Sequence, residues 1–377
     1  MNNQKKIVMV GPVYPYKGGI SHYTGLMYRA LAKEYDVHMI SYKLQYPKFM
    51  YKKEQTDFSN DTFKIDKTNF LIHTANPFNW FHSAKEIKKL SPDLIIIQWW
   101  HPYFSPCYWL LCKLLKHFKI LFVCHNVFPH ERFPMDRFLT KQVLRNGDYF
   151  IVQSKQDEYD LKSIKPNAVY KRTVHPTYNA FKIQNMTKET GRELLNIENS
   201  ERILLFFGFV REYKGLKHLI QALPKVVTSL DHIKLLVVGD FDGDKDNYVN
   251  LINDLKMNSY IEIHDGYIPD LEVEKYFAAS DLVVLPYESA TQSGIVQIAY
   301  GFEKPVVVTN VGGLPEVVLH NQTGYVVESK DCDALANAII QFFSENKANE
   351  FESHIKLEAE RYSWSHMIEI IRSLSQL

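Results

Sequence analysis

A short apolar run followed by a loop of glycines and cations decides the fold: it reads Ile203-Leu204-Leu205-Phe206-Phe207-Gly208-Phe209-Val210-Arg211-Glu212-Tyr213-Lys214-Gly215. Residues 203–207 are continuously apolar and too few for an ordinary helix, which is typical of a strand buried on both faces of a parallel sheet. A helical pattern follows directly over 215–230. A strand, a tight loop and a helix in this order predict a βαβ unit, whose ligands bind at the carboxyl end of the strand.

The same alternation continues in both directions along the chain. Further apolar runs predict strands at 7–10, 94–97, 120–124, 149–152, 233–238, 282–285 and 306–308. Helical patterns lie between them at 19–34, 108–118, 247–255, 271–279, 295–301 and 333–344. A polar break near 179–200 separates two such series. The sequence therefore predicts an α/β protein with two Rossmann-like domains, whose parallel sheets face a cleft. We expect an N-terminal domain over 1–180, a linker over 181–200 and a C-terminal domain over 201–358.

Length and composition agree with two globular domains. The chain has 377 residues, of which 46% are apolar and 23% charged, and this excludes a disordered chain, a collagen-like fibre and a coiled coil. The four cysteines form no CxxC pair, which excludes a zinc knuckle and suits a reducing cytoplasm. No apolar run approaches the roughly 18–20 residues that span a bilayer. We therefore expect a cytoplasmic protein.

Charge is divided unevenly between the two halves. Residues 1–180 carry 26 basic and 14 acidic residues, a net charge of +12, and residues 181–377 carry a net charge of −11. A basic half suits an anionic membrane surface or an anionic substrate; the alternative is a solvated face that keeps the protein soluble. The aromatic stretch 99–115 has two interpretations, core packing or membrane contact. We expect no nucleic-acid partner.

Four segments are candidates for chemistry. There is no GxGxxG after the first strand and no GxxxxGK[ST] anywhere, so neither a standard dinucleotide site nor a P-loop is supported. Gly18 and Gly19 precede a helix, where backbone N–H groups can approach a phosphate or sugar; an ordinary loop is the alternative. Arg211 and Lys214 lie at a helix start, where two cations are unfavourable unless an anion binds. A solvated pair is the alternative there.

The other two candidates also follow predicted strands. Small polar residues at 289–293 precede Gly294 and a helix whose N–H groups could hold an anion; simple N-capping by Ser293 is the alternative. His125 follows the strand at 120–124 and could point into the cleft. A hydrogen-bonded structural histidine is the alternative.

The order of these pieces resembles the GT-B glycosyltransferases of family 4, a retaining group that uses nucleotide sugars. The resemblance covers nearly the whole chain. Its blocks are Gly18-Gly19, His125-Asn126, Gly208 to Gly215, Val238-Gly239-Asp240, His264 to Pro269, Tyr276 to Pro286, Lys304 to Thr309, Gly312 to Val318, and Gly324. No single block is decisive, but all of them in this order are specific.

The resemblance implies a role for each matching position. Arg211 and Lys214 would hold the donor diphosphate in place of a metal ion, and backbone groups of Tyr267 and Ile268 would contact the nucleobase. Backbone N–H groups at 293–295 (Ser293, Gly294 and Ile295) would cap the diphosphate. His125 would contact the transferred sugar, and Gly18 and Gly19 would line the cleft. A C-terminal helix over 359–377 would return to the N-terminal domain.

One block departs from the family pattern. The family usually has two glutamates eight positions apart before the Pro-Val-Val strand, and neither expected place holds one here. Gln297 could contact the ribose instead of the second glutamate, and Thr291, Gln292 and Ser293 could contact the sugar. Glu288 lies nine residues before Gln297, so it does not match the first.

The expected activity is sugar transfer from a nucleotide sugar to a lipid-linked or glycan acceptor, with retention. The donor is a substrate, so no cofactor is expected, and no metal. Asp240-Phe241-Asp242 and Asp242-Gly243-Asp244 have DxD spacing, but their position after a strand predicts a solvated loop. Two alternatives remain open. A catalytically inactive partner subunit would explain the missing glutamates, and a GT-B nucleotide-sugar epimerase would share the fold.

Overall fold

The computed structural model describes residues 4–58, 61–129, 134–241 and 243–377. The chain forms two compact units. The first consists of Met1–Val174 with Ser363–Leu377, and the second of His175–Tyr362.

The first unit is a parallel seven-stranded sheet with helices on both faces. Its strands are β1 (Lys6–Val10), β2 (Asp36–Leu44), β3 (Thr68–His73), β4 (Leu94–Trp99), β5 (Lys119–Cys124), β6 (Tyr149–Val152) and β7 (Val169–Arg172). Its helices are α1 (Gly19–Leu31), α2 (Pro77–Leu90), α3 (Ser105–Leu114), α4 (Asp136–Leu144), α5 (Lys155–Ile164) and, from the C-terminus, α14 (Trp364–Ser375). The strand order is β3-β2-β1-β4-β5-β6-β7. The order reverses between β1 and β4, which makes the carboxyl edge of these strands a place where ligands bind in such sheets.

Most aromatic side chains near residue 100 are part of the first unit's core. Trp99, Phe104 and Tyr108 are almost fully buried, and Trp100 is also buried. They pack with residues of β2, α2 and α5 in one apolar cluster. Core packing is therefore confirmed for these four residues, and membrane contact is wrong for them. Trp109 is the exposed member of the group.

Helix α14 belongs to the first unit. The sequence offers Ser363 or Ser365 as the cap of this helix, and the Ser363 hydroxyl accepts a hydrogen bond from the backbone N–H of His366 at 3.0 Å. The rings of Trp364 and Tyr23, the latter in α1, have centroids 5.1 Å apart. These contacts attach the end of the chain to α1.

The second unit is a parallel six-stranded sheet. Its strands are β8 (Arg202–Phe207), β9 (Ile233–Gly239), β10 (Ile261–Asp265), β11 (Leu282–Leu285), β12 (Val306–Thr309) and β13 (Gly324–Val327). Its helices are α6 (Lys188–Leu194), α7 (Leu216–Ser229), α8 (Lys245–Asp254), α9 (Asp270–Ala279), α10 (Gly294–Gly301), α11 (Leu314–Val317), α12 (Cys332–Ser344) and α13 (Ala348–Leu357). The strand order is β10-β9-β8-β11-β12-β13, and it reverses between β8 and β11.

The segment 181–200, expected to be a linker, contains α6 and packs on the second unit. The buried carboxylate of Glu274 accepts hydrogen bonds from the backbone N–H groups of Ile183, Gln184 and Met186 at 2.7–2.9 Å. Arg192, also buried, donates to Asp281 at 2.9 Å. These charge-assisted bonds hold the polar segment against the second unit. The sequence does not indicate this packing, because the segment has no apolar pattern.

Within the described residues, no helix combines the length and apolar character needed to cross a bilayer.

Candidate active site

Two loops meet at the carboxyl edge of β8 and β11. The loop after β8 contains Gly208, whose φ is +107°. A Cβ atom on this glycine would lie 3.3 Å from the Lys214 Nζ and 3.5 Å from the Ile295 Cδ1. The second unit therefore brings the ammonium group of Lys214 and the first turn of α10 to the same glycine. The sequence predicts the cation and the helix start separately, and the fold brings them together.

Lys214 is a half-buried cation whose ammonium lacks an acidic partner. Its Nζ lies 5.5 Å from the centroid of the Tyr287 ring, and among the described residues no carboxylate lies within ion-pair distance of it. Burial lowers the pKa of Lys214 below its ordinary value, and the nearby charge of Arg211 lowers it further. A desolvated ammonium of this kind attracts an anion.

Arg211 lies three residues before Lys214 and is exposed. It precedes a single turn of 3-10 helix over Glu212–Lys214. Gly215 ends that turn with a φ of +65°, and a Cβ atom there would lie 2.0 Å from the Pro286 carbonyl oxygen. The Tyr213 carbonyl accepts a hydrogen bond from the Glu288 N–H at 2.6 Å. The loop with the two cations is thus fixed against the loop after β11.

The N-terminus of α10 is the second feature that favours an anion. Ser293 precedes the helix but its side chain makes no capping hydrogen bond, so the interpretation as a simple N-cap is wrong. Its hydroxyl lies 3.5 Å from that of Tyr287 instead. Gly294 and Ile295 begin the helix, where the partial positive charge of the macrodipole is greatest. This end of α10 and Lys214 both attract negative charge.

Gln297, one turn further along α10, is fully buried, with 0% of its surface exposed. Neither its amide nitrogen nor its amide oxygen has a hydrogen-bond partner within the described part of the chain. A buried amide without partners costs free energy, about 1–3 kcal/mol, which a ligand that supplies hydroxyl groups would remove.

Glu288 is held by two lysines and a histidine. Its carboxylate lies 2.9 Å from the His218 Nε2, 3.1 Å from the Lys217 Nζ and 2.9 Å from the Lys330 Nζ. Burial alone would raise the pKa of Glu288, but hydrogen bonds from Lys330, His218 and Lys217 outweigh it and lower the pKa to about 2. Glu288 therefore fastens the loop after β11 to α7. The sequence could not reveal this contact, because its partners lie far away along the chain.

Thr291 and Gln292 are held by the loop before α11. The Thr291 carbonyl accepts from the Gly313 N–H at 2.9 Å, and the Gln292 Nε2 lies 3.5 Å from the Gly313 carbonyl oxygen. Gly312 has a φ of +52°, and a Cβ atom on it would lie 1.5 Å from the Ala290 carbonyl oxygen. The pair of glycines in the Gly312 to Val318 block allows this close approach.

Tyr267 and Ile268 lie in the loop after β10, two strands from β8, and both are half-buried. Gly266, which precedes them, has a φ of +120° and donates its N–H to the Gly239 carbonyl at 3.3 Å. Gly239 ends β9 and lies against Gly208. The loop of Tyr267 and Ile268 therefore continues the same edge of the sheet, and contact with a nucleobase remains a prediction.

The remaining predicted residues lie in the first unit. Gly18 has a φ of +104°, and Gly19 begins α1, where a Cβ atom would meet nothing within 4 Å. His125 follows β5 and is buried, with its Nε2 2.8 Å from the Gln98 Oε1. Its ring lies 4.6 Å from that of Tyr23 in α1. The structure thus gives His125 a hydrogen-bond partner, and its contact with a sugar remains a prediction.

Comparisons with known proteins match both halves of the chain to one family. Residues 17–179 match "Glycosyltransferase Family 4", and residues 201–345 match "Glycosyl transferases group 1".

Curated relatives are similar over part of their length. N-acetyl-alpha-D-glucosaminyl L-malate synthase of Bacillus anthracis is 30% identical over 189 residues, which cover 49% of this chain and 47% of the relative. Lipopolysaccharide 1,2-N-acetylglucosaminetransferase of Salmonella typhimurium is 28% identical over 185 residues, 47% of this chain and 48% of the relative. The chain therefore spans about half the length of these curated relatives.

Solved structures match over nearly the full chain. Sucrose-phosphate synthase from Thermosynechococcus elongatus has a TM-score of 0.75 at 19% identity, covering 98% of this chain and 99% of that one. Anabaena Alr3699/HepE in complex with UDP-glucose also has a TM-score of 0.75, at 18% identity, covering 99% and 100%. The predicted fold class is confirmed. This chain belongs to glycosyltransferase family 4, the glycosyl transferases group 1, and has the GT-B fold.

Proposed function

We propose that this chain moves a sugar from a nucleotide-sugar donor to a lipid-linked or glycan acceptor, with retention at the anomeric carbon and without a metal ion. The second unit binds the donor, and the first carries the acceptor. Catalysis consists of positioning together with electrostatic stabilisation of the departing diphosphate.

The observation that carries the proposal is that the Lys214 ammonium has no acidic partner among the described residues. It lies at the carboxyl edge of β8, next to the first turn of α10, with Arg211 three residues before it. Three positive elements converge where the sheet order reverses, and none of the described carboxylates neutralises Lys214. A diphosphate is the kind of anion that the Lys214 ammonium and the start of α10 attract.

The buried amide of Gln297, which has no hydrogen-bond partner within the described ranges, supports a ribose contact. An amide offers both donor and acceptor atoms, as do vicinal hydroxyl groups. Gln297 lies one turn after Gly294, so a diphosphate at the start of α10 would bring the adjoining ribose within its reach. We assign Gln297 the role that a glutamate has in the family pattern.

For location, we infer a cytoplasmic protein attached peripherally to the inner membrane face. The four cysteines are free thiols, which suits a reducing compartment. The net charge of +12 over residues 1–180 suits an acceptor or a surface of negative charge.

Thermal shift with nucleotide sugars tests the proposal. A donor should raise the melting temperature, since a ligand at 100 times its dissociation constant stabilises the native state by about 2.7 kcal/mol. UDP-, GDP-, ADP- and CMP-sugars would be compared. The Gln297→Leu variant tests the ribose contact: its unliganded melting temperature should be unchanged or higher, because the apolar side chain needs no partner, and its donor affinity should fall about tenfold.

The outcomes separate the proposal from its rivals. No shift with any nucleotide sugar would contradict donor binding and favour an inactive partner subunit. A shift accompanied by conversion of the donor sugar to its epimer, with no acceptor present, would favour an epimerase instead. Acceptor-dependent release of the nucleotide supports transfer.

Activity should also survive EDTA. The reason is that Arg211, Lys214 and the start of α10 already supply positive charge for the leaving diphosphate. Of the DxD motifs, Asp240 and Asp244 are described, and Asp242 lies outside the described residues. Initial rates with 5 mM EDTA as a test concentration, about equal to those without it, are expected. Loss of turnover that manganese restores would overturn metal independence.

A further inference from the structure

Three neighbouring helices of the first unit share one surface pattern. Helices α2, α3 and α4 each connect parallel strands, and α3 packs against both of the others. Each helix runs opposite to its strands, so the first turns of all three lie at the carboxyl edge of the sheet. Side chains in the first two turns of these helices therefore lie near that edge.

Each of the three helices has an exposed aromatic side chain within its first two turns. The exposed fractions of these side chains, which we call the aromatic row, are 87% for Phe78, 53% for Phe81, 40% for Trp109 and 54% for Phe138. Singly exposed apolar residues are ordinary, but aligned aromatic residues on adjacent helices indicate a contact surface.

Cations follow the aromatic row at helical spacing. The members of this cationic row are Lys85 and Lys88 in α2, Lys113 and Lys116 in and after α3, and Lys141 and Arg145 in and after α4. In each helix they come three or four residues after an aromatic residue and then three or four residues later again, which places them on the same helix face. One helical turn of about 5.4 Å thus separates the two rows. No acidic residue occurs in α3.

The loop after β2 extends the same surface. It exposes Phe49 and Met50 between Lys48 and Lys52. The loop is held next to the start of α2, because the Thr74 hydroxyl donates to the Gln45 carbonyl at 2.8 Å.

We propose that the aromatic and cationic rows dock this protein on an anionic lipid bilayer. Aromatic rings favour the boundary between headgroups and acyl chains, and lysines one turn behind them would lie at the level of the lipid phosphates. Charge complementarity favours a bilayer over an apolar protein surface, since six cations follow the rings, and Glu86, the acidic residue between Lys85 and Lys88, pairs with Lys89 at 2.7 Å. This inference rests on the membrane attachment proposed above and names the face responsible.

Flotation of the full chain with vesicles tests this assignment. Phosphatidylcholine vesicles with and without phosphatidylserine would be compared at low and high salt. Phe78→Ser/Phe81→Ser should lower binding to anionic vesicles by about tenfold at any salt, because the rings bury apolar area. Lys85→Gln/Lys88→Gln/Lys113→Gln should lower it by a similar factor at low salt only, since salt screens charge. Leu357→Ser, an exposed apolar residue of the second unit, and Lys33→Gln, just after α1, are the controls and should bind normally.

Different results of the flotation assay would contradict different parts of the proposal. Wild-type binding with unaffected row variants would overturn this face and leave membrane attachment intact. Equal flotation with anionic and neutral vesicles would overturn docking on an anionic bilayer, and no flotation with either would overturn membrane attachment as well. Self-association that disappears in Phe78→Ser/Phe81→Ser, without vesicle binding, would assign the rows to a second copy and overturn the inference. The thermal shift with nucleotide sugars is measured on the same variants and reports separately on the proposed transferase function.

Discussion

Replacing Lys214 by alanine should lower the rate of sugar transfer by about two to three powers of ten, as expected for loss of a group that stabilises the leaving diphosphate. The same change should leave the free energy of unfolding unchanged or slightly higher. The reason is that Lys214 has no acidic partner among the described residues, and burial lowers its pKa, so the native state gains little from its charge. Turnover rates and chemical denaturation measure the two effects.

Arg211→Ala is the matched variant for this experiment, with a similar expected loss of rate. Arg211 is exposed, so its replacement should not change stability either. Donor affinity of the wild type should fall once the pH passes the lowered pKa of Lys214, because the neutral amine no longer attracts the diphosphate. A Lys214→Ala/Arg211→Ala protein that turns over normally would show that the diphosphate binds elsewhere.

Central strands are the part of the fold that the sequence predicts well. The predicted strands at 149–152 and 282–285 agree with β6 and β11 in both bounds. Both are continuous apolar runs, because both faces of a central parallel strand are buried. Edge strands give no such signal: β7 reads Val-Tyr-Lys-Arg and is mostly exposed, and β10 reads Ile-Glu-Ile-His-Asp. Their backbone pairing, which apolar periodicity cannot reveal, makes them strands.

The candidate site, too, could be predicted from the sequence only in part. Arg211, Lys214 and Gly294 could be named from the sequence because each lies between an apolar run and the helical pattern that follows it. The state of each group could not be predicted. Three properties depend on contacts between residues far apart in the chain. They are the presence of an acidic partner for Lys214, the presence of a hydrogen-bond partner for the Gln297 amide, and the direction in which Glu288 points. The buried aromatic residues near residue 100 show the same limit, since composition alone does not distinguish core from surface.

A methyl group at Gly239 should cost more stability than any other single change proposed for this chain. Gly239 ends β9 with a φ of +143°, and a Cβ atom on it would lie 2.0 Å from the Gly208 carbonyl oxygen. Gly239→Ala therefore combines backbone strain with overlap against a backbone atom, for an expected loss of about 3–5 kcal/mol in the free energy of unfolding. Gly243→Ala is the control: its φ is +101°, but its Cβ atom would meet nothing within 4 Å, so strain alone should cost about 1–2 kcal/mol.

In the folded fraction of Gly239→Ala, Gly208 must shift, and with it the surface on which the Lys214 ammonium lies. Donor affinity should therefore fall in Gly239→Ala and stay normal in Gly243→Ala, measured by titration below the unfolding transition. Equal stability losses in the two variants would mean that the ends of β8 and β9 are not in contact. Glycine would then be required at position 239 only because of the positive φ.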